Sequence, residues 1–125
     1  MKVLTVSQPY ASLIASGAKC VENRTWPTAY RGPLAIHAGR RSQYITPAEL
    51  AGYLTGVVLA TCELVGCIEL AAGQRALFDG ISRTIEEIRA HEHTLGPWCW
   101  ILADVRRLAP VPARGRLGLW DWVES

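Results

Sequence analysis

Strand-forming segments recur along this chain, and they do not alternate with helices in the regular way that builds a parallel sheet. The longest, residues 57–70, is dense in valine, leucine, isoleucine and threonine. Further strands are predicted over residues 3–6, 19–26, 33–38, 98–105 and 116–123. About six strands with few long helices to cover them bury their apolar face best by closing on themselves. The pattern therefore predicts a mainly β, α+β fold: a small β-barrel of mostly antiparallel strands.

Two or three helices are predicted to flank the strands. The first covers residues 7–17, with Ser7 as its N-cap and apolar residues at helical spacing. A short helix is expected to begin at residues 46–49 and to run to about residue 53. A third, with Ile81 in its apolar stripe, is expected to end near residue 93. A proline-rich turn is expected between the last two strands.

The composition is typical of one soluble domain. The chain has 125 residues, half of them apolar, which is enough to bury a core in a single domain spanning residues 1–125. No apolar run approaches the roughly 20 residues that a transmembrane helix needs, and the opening segment is too short for a signal peptide. We therefore expect a cytoplasmic protein that does not interact with membranes.

The cysteine and histidine residues give no sign of a metal site. No two cysteines have the two-residue spacing of a zinc ligand pair. Reduced thiols are therefore expected at all four: Cys20, Cys62, Cys67 and Cys99. His91 and His93 do not face each other on a helix, because they are two positions apart. We expect neither a metal nor a cofactor.

Positive charge is concentrated in the first half of the chain. Residues 1–62 contain six basic and two acidic residues, a formal charge of +4, whereas residues 63–125 contain seven and nine, a charge of −2. Eleven of the 13 basic residues are arginine, whose guanidinium group suits bidentate contacts to phosphate. The first half is therefore expected to carry any electropositive surface.

The segment over residues 17–26, after the predicted helix, combines opposite charges with an aromatic ring. If it continues as a regular strand, Cys20, Glu22, Arg24 and Trp26 lie on one face. This arrangement suits a pocket in which Trp26 stacks on a base while the guanidinium group contacts phosphate. The alternative is an exposed edge strand in which Glu22 and Arg24 form a weak ion pair.

The junction before the first helix is the second candidate site. Ser7 and Gln8 lie where a strand passes into a helix, and the free N–H groups at a helix start favour an anion such as phosphate. Gln8 also carries a donor and an acceptor for a base edge. Alternatively, Ser7 caps the helix and Gln8 faces solvent. His37, in a predicted strand, is either a structural imidazole or a pocket residue.

Three motifs carry a resemblance to a known family. They are Q-P-Y-A-S-L-I from Gln8, G-x-K-x-x-E-x-R-x-W from Gly17, and R-G-P-L with I-H-A from Arg31. Together they resemble the ASCH domain, named for activating signal cointegrator-1 homology. The later motifs G-P-W-C-W and R-G-R-L-G-L-W also look familial, so the resemblance covers essentially the whole chain.

The resemblance implies a PUA-like fold, which is a small β-barrel with flanking helices. It also implies that the partner is RNA or a modified nucleoside, with DNA as a further nucleic acid to test. In the family, a nucleotide-sized cleft is lined by the helix and the G-x-K-x-x-E-x-R segment. The nucleic-acid-binding residues implied for this chain are Ser7, Gln8, Lys19, Arg24 and Trp26.

Some similar ASCH proteins are amidohydrolases that act on N4-acetylcytidine, and ribonuclease activity is also found in the family. This implies an alternative function, a small metal-independent hydrolase in which Lys19 stabilises developing negative charge and Glu22 acts as general base. The amidohydrolases have threonine where this chain has Glu22, so that hydroxyl nucleophile is missing. A third alternative is a protein-interaction domain. The sequence leaves these functions and the oligomeric state open.

Overall fold

The computed structural model describes residues 1–69, 76–78, 81–83 and 97–122. Within these ranges the chain forms eight strands and two short helices. In chain order they are β1 (Lys2–Val6), α1 (Tyr10–Ala15), β2 (Val21–Arg24), β3 (Gly32–Ala38), α2 (Pro47–Leu50), β4 (Val57–Glu69), β5 (Ala76–Phe78), β6 (Ile81–Arg83), β7 (Trp98–Pro112) and β8 (Leu119–Asp121). This secondary structure confirms the predicted α+β class.

Six of the strands form one sheet in the order β2-β7-β4-β3-β1-β8, and β5 pairs with β6 in a separate sheet. β1 lies between β3 and β8, antiparallel to β8 and parallel to β3, with Thr5 opposite His37. β2 pairs antiparallel with β7, which places Glu22 opposite Trp100. The β1–β8 and β2–β7 pairs are antiparallel and the β1–β3 pair is parallel, in agreement with the mostly antiparallel strands that the sequence predicts.

The chain divides into two compact units. The first unit comprises three segments: Met1–Lys19, Pro33–Cys62 and Asp104–Ser125. Its buried apolar cluster consists of residues from four strands or their flanks: Val3, Ala35, Val58 and Trp120. Val3 lies opposite Ala35 in the β1–β3 pair and opposite Trp120 in the β1–β8 pair. This cluster therefore spans four adjacent strands of the sheet, from β4 through β3 and β1 to β8.

The second unit comprises Cys20–Gly32 and Glu63–Ala103. Its buried apolar cluster comes from β2, β4 and β7: Val21, Val65, Ile68, Cys99 and Ile101. Val21 lies opposite Ile101 in the β2–β7 pair. All four cysteines of the chain are free thiols, as the sequence predicts.

The first helix is shorter than predicted, and it begins differently. The predicted cap at Ser7 is wrong, because the N-cap is Pro9 and the Ser7 carbonyl accepts the N–H group of Tyr10. The side chain of Gln8 supplies the side-chain acceptor instead, since its Oε1 accepts the N–H of Ser12 at 3.0 Å. A longer amide side chain reaches a donor further into the helix than a serine hydroxyl does.

The second helix begins as predicted. Thr46 is the N-cap of α2 and forms a capping box with Glu49. The helix ends at Leu50, although a further turn is closed by the N–H of Tyr53, which donates to the Leu50 carbonyl. Neither helix in the described ranges combines the length and the apolar composition that a bilayer crossing requires.

β7 is longer than predicted, because it continues through Pro110 and Pro112 where a turn was expected. β2 pairs with β7 only as far as Ile101, so among the described strands the rest of that edge of β7 has no ladder partner. Proline has no N–H group to donate to a ladder, so it is tolerated where the edge of a strand is unpaired. Both prolines lie in this part of β7.

Three further element boundaries differ from the prediction. β2 and β8 are shorter than the segments 19–26 and 116–123. Ile81, expected in a helical stripe, lies in β6, because pairing with β5 fixes its backbone as a strand. The rest of that predicted helix lies outside the described residues.

Candidate nucleic-acid interface

Gln8 is fully buried, and both polar atoms of its side chain form hydrogen bonds within the protein. Its Nε2 donates to the carbonyl of Leu54 at 2.8 Å, while its Oε1 accepts from the N–H of Ser12. Its own carbonyl accepts a hydrogen bond from the hydroxyl of Ser42. Gln8 therefore links the start of α1 to residues on either side of α2. The solvent-exposed alternative is wrong, and the base contact stays a prediction.

Lys19, in the segment that follows α1, is buried. Only 1% of it is exposed, and its N–H donates to the carbonyl of Leu13 at 3.1 Å. Its ammonium group lies 5.4 Å from the ring centre of Tyr10, which is cation–π distance. The Tyr10 ring in turn contacts Tyr44 edge to face. The buried ammonium group of Lys19 therefore faces an aromatic ring of the first unit.

Glu22 and Arg24 share one face of β2, as the two-residue spacing predicts. A guanidinium nitrogen of Arg24 lies 3.0 Å from a carboxylate oxygen of Glu22, and the side chains are 23% and 9% exposed. The ion pair is therefore largely shielded from water, unlike the exposed pair of the alternative interpretation. Arg24 keeps the more accessible side chain of the two.

Trp26 follows β2 and packs against β7 in the second unit. Its carbonyl accepts a hydrogen bond from the indole N–H of Trp100 at 3.2 Å. The two indole rings lie edge to face, with centroids 4.8 Å apart. Trp26 is only half-buried, so part of its ring remains accessible for stacking.

The structure brings some of the predicted residues together in two separate sets. Gln8 and Lys19 belong to the first unit, whereas Glu22, Arg24 and Trp26 belong to the second. Glu22 forms an ion pair with Arg24, and the ammonium group of Lys19 lies over the aromatic ring of Tyr10 in α1. A single hollow lined by all five residues stays a prediction.

The positive charge of the protein belongs to the first unit. That unit contains eight basic and four acidic residues, a formal charge of +4, and the second contains five and seven, a charge of −2. The two values add to the +2 of the whole chain. The two units therefore differ in charge by the same amount as the two halves of the sequence, but residues 104–125 of the second half contribute four arginines to the first unit.

Four arginines of the first unit surround an open cleft of about 960 Å³: Arg40, Arg41, Arg114 and Arg116. Within the part of the chain that the structure describes, no carboxylate lines this cleft, whose other lining residues include Thr5 and His37. None of the binding residues expected from the sequence lines it. The available signals were two arginine pairs, R-R directly after I-H-A-G and R-G-R near the C-terminal end. That the two pairs line the same cleft could not be inferred from the sequence, because they lie far apart in the chain.

His37 forms part of the floor of the arginine cleft, which we define as the cleft lined by these four arginines. The His37 side chain is buried, with Nε2 at 2.7 Å from the carbonyl of Ala113 and Nδ1 at 3.2 Å from the Thr5 hydroxyl. The Thr5 oxygen also accepts the indole N–H of Trp120. His37 is therefore both a structural imidazole and a pocket residue, which were the two alternatives for it.

Comparison with known families places the chain in one of them. Residues 4–112, which include every predicted site residue, match the family model of the ASCH domain. The chain belongs to the ASCH family. The match confirms the resemblance drawn from the Gln8, Gly17 and Arg31 motifs, and ASCH domains are PUA-like domains, a class often linked to RNA binding. No curated protein sequence matches the chain.

Proposed function

We propose that this ASCH-family chain is an RNA-binding module. The observation that carries the proposal is the group of four exposed arginines around one cleft of the first unit. Among the described residues, none of the four guanidinium groups has an ion-pair or hydrogen-bond partner. Unpaired like charges raise the local positive potential and attract a polyanion, and guanidinium groups match phosphate geometry.

The residues implied by the family resemblance are expected to contribute unequally. Arg24 and Trp26 are partly accessible, so the first is suited to a phosphate contact and the second to stacking on a base. Gln8 and Lys19 are buried, and the carbonyl of Ser7 accepts hydrogen bonds from N–H groups at the start of α1. We therefore expect Arg24 and Trp26 to contribute more to affinity than Ser7, Gln8 and Lys19.

Fluorescence anisotropy with a labelled oligouridylate of about ten nucleotides tests the proposal. The logarithm of the association constant is expected to fall linearly with the logarithm of salt concentration, by about 0.7 for each phosphate contact. Arg24→Ala is expected to weaken binding. An oligodeoxyuridylate of the same length gives the comparison with DNA. Absence of salt-sensitive RNA binding, or tighter binding of the DNA, would contradict the proposal.

The hydrolase alternative is decided with the same preparation. Lys19 and Glu22 would be its catalytic residues, and each is buried in this structure. Incubation with N4-acetylcytidine and with labelled RNA measures turnover directly. Turnover that disappears in both Lys19→Ala and Glu22→Ala would favour the hydrolase, and turnover that survives both substitutions would exclude this pair.

A further inference from the structure

We infer that the arginine cleft binds the phosphodiester backbone of a single RNA strand. The inference rests on the proposed function and names its site, which differs from the G-x-K-x-x-E-x-R segment to which the family resemblance points. Three features carry it: the charge of the lining, the hydrogen bonds that fix the walls, and the way the R-G-R segment lies on the floor.

The charge of the cleft comes from its arginines alone. The Ala113 carbonyl can only accept, so Nε2 of His37 carries a proton and donates to it. The Thr5 hydroxyl accepts from the Trp120 indole and lies 3.2 Å from Nδ1 of His37. Both ring nitrogens of His37 therefore have partners within the protein. The four arginines supply guanidinium donors to the lining of the cleft.

The two walls of the cleft are joined by backbone hydrogen bonds through Gly56. The N–H of Gly56 donates to the carbonyl of Ala38, at the end of β3, at 2.7 Å. The Gly56 carbonyl accepts the N–H of Ala113 at 3.0 Å, and the Ala113 carbonyl is held by His37. These bonds hold the segments before Arg40 and Arg114 in place without a ligand. A preformed site loses less conformational entropy on binding.

Arg40 lies directly over the Gly56 backbone. A Cβ atom at Gly56 would come within 2.9 Å of Nε and 3.0 Å of Cζ of Arg40. The absence of a side chain at Gly56, whose φ is +69°, therefore leaves the space in which the guanidinium group rests. One arginine of this wall is thus positioned by packing as well as by its place in the chain.

Gly115 places Arg114 and Arg116 against the floor. A Cβ atom at this position would lie 2.8 Å from Cε1 of His37 and 3.1 Å from the Thr5 hydroxyl oxygen. Real side chains do not approach so closely, so only glycine lets the R-G-R backbone rest on the imidazole. Gly115 is therefore a positioning residue for the two arginines beside it.

The size of the cleft selects the form of nucleic acid. A volume of about 960 Å³ is that of a pocket for a small organic ligand. It is large enough for roughly one or two nucleotides. A single strand can turn its sugar and base toward the cleft while its phosphates contact the arginines, whereas the bases of a duplex are paired inside the helix. Exposed Leu117 and Pro112 line the same cleft and offer apolar surface to the sugar or base of that strand. We therefore expect single-stranded RNA to bind in preference to duplex RNA.

Two double variants that remove the same charge test the site. Arg114→Ala/Arg116→Ala takes two guanidinium groups from the cleft, whereas Arg106→Ala/Arg107→Ala takes two exposed ones from β7 outside its lining. With the labelled oligouridylate, the cleft variant is expected to bind about 10- to 100-fold more weakly. The logarithm of its association constant is expected to fall less steeply with the logarithm of salt concentration, by about 1.4 in slope. The β7 variant is expected to stay within about threefold of the unaltered protein. Thermal unfolding of both variants verifies that they fold.

A charge-neutral pair gives an independent test. Gly115→Ala is expected to weaken binding about tenfold, because the added Cβ lifts the R-G-R segment from His37 while every charge remains. Gly52→Ala is the control, since its Cβ would meet only the Glu49 carbonyl at the ordinary contact distance of 3.4 Å. Its affinity is expected to be unchanged.

The outcomes separate the site from the function. If RNA binds but both double variants lose affinity equally, or if Gly115→Ala binds like Gly52→Ala, the arginine cleft is not the site and the proposed function stands. Equal affinity for duplex and single-stranded RNA likewise overturns the single-strand assignment. If the unaltered protein binds no RNA at all, the proposed function itself fails.

Discussion

At the scale of single residues, burial separates the charged side chains into two groups. Lys19 and Glu22 are buried and engaged, one with an aromatic ring and the other with Arg24. The arginines of the cleft are exposed and, among the described residues, have no partners. A buried charge without compensation is costly, so the first group holds the fold together. The second group is available to a ligand.

Arg24→Ala is expected to lower the free energy of unfolding by about 1–3 kcal/mol. The substitution removes a charge-assisted hydrogen bond from Glu22, whose side chain is 9% exposed and is left with poor access to water. Arg31→Ala is the matched control, because Arg31 is exposed and, among the described residues, donates to the backbone carbonyls of Thr28 and Tyr30 and to no carboxylate. Urea denaturation measures both. An effect of Arg24→Ala no larger than the control would contradict a structural role for the ion pair.

At the scale of elements, α2 shows how a very short helix is fixed by its cap. The Thr46 hydroxyl accepts the N–H of Glu49 at 3.1 Å, and the Glu49 carboxylate accepts the N–H of Thr46 at 3.0 Å. The hydrogen bond from the Thr46 backbone, followed by that from its side chain, lowers the pKa of Glu49. A carboxyl whose pKa is lower in the folded state stabilises the fold above its unfolded pKa.

This sign predicts a pH dependence that belongs to α2. Glu49→Gln keeps the shape and an acceptor oxygen but removes the charge, so it is expected to be less stable than the unaltered protein at neutral pH. The difference in stability is expected to shrink as the pH falls below about 4.3, where the carboxyl of the unfolded chain protonates. It is expected to vanish below the lower pKa that Glu49 has in the folded state. Urea denaturation at neutral and acidic pH measures it. A difference that stays constant with pH would contradict the prediction.

At the scale of the whole molecule, charge is segregated between the two units. The first unit carries +4 and the second −2, so the small net charge of +2 understates the positive field of the first unit. Such a field steers a polyanion during encounter, while direct contacts set how long it stays bound. The exposed arginines of β7 and those of the cleft therefore have different kinetic roles.

Stopped-flow measurements with the labelled oligouridylate are expected to separate these roles. Arg106→Ala/Arg107→Ala is expected to lower the association rate about two- to threefold at low salt and to leave the dissociation rate unchanged. Arg114→Ala/Arg116→Ala is expected to raise the dissociation rate chiefly. Identical changes in both rates for the two variants would indicate unspecific attraction to the first unit.

Much of the fold could be predicted because its signals are local. The apolar segments of β1, β3 and β4 and the T-P-x-E start of α2 are specified by neighbouring residues. The predictions failed where distant pairing decides the outcome. Ile81 is a strand residue because β5 lies beside it, and β7 passes through two prolines because that part of its edge is unpaired among the described strands.

The candidate sites show the same division. Period-two spacing predicted that Glu22 and Arg24 share a face, and they form an ion pair. Residue spacing carries no information on how deeply a side chain is buried. The burial of Gln8 and Lys19 was therefore not predicted. The arginine cleft was not predicted at all. Arg40 and Arg114 line the same cleft only after β1 has paired with β3 and the segment that follows β7 has packed beside Gly56.

The sequence by itself determined the α+β class, the ASCH family and the excess of positive charge in its first half, because composition, periodicity and motif spacing are properties of the chain alone. Only the tertiary structure decided which charges are buried with partners and which remain free. That outcome depends on contacts between segments distant in the chain, such as Gly115 on His37 and Gly56 beneath Arg40. No local pattern encodes such contacts, since they exist only once the strands have paired.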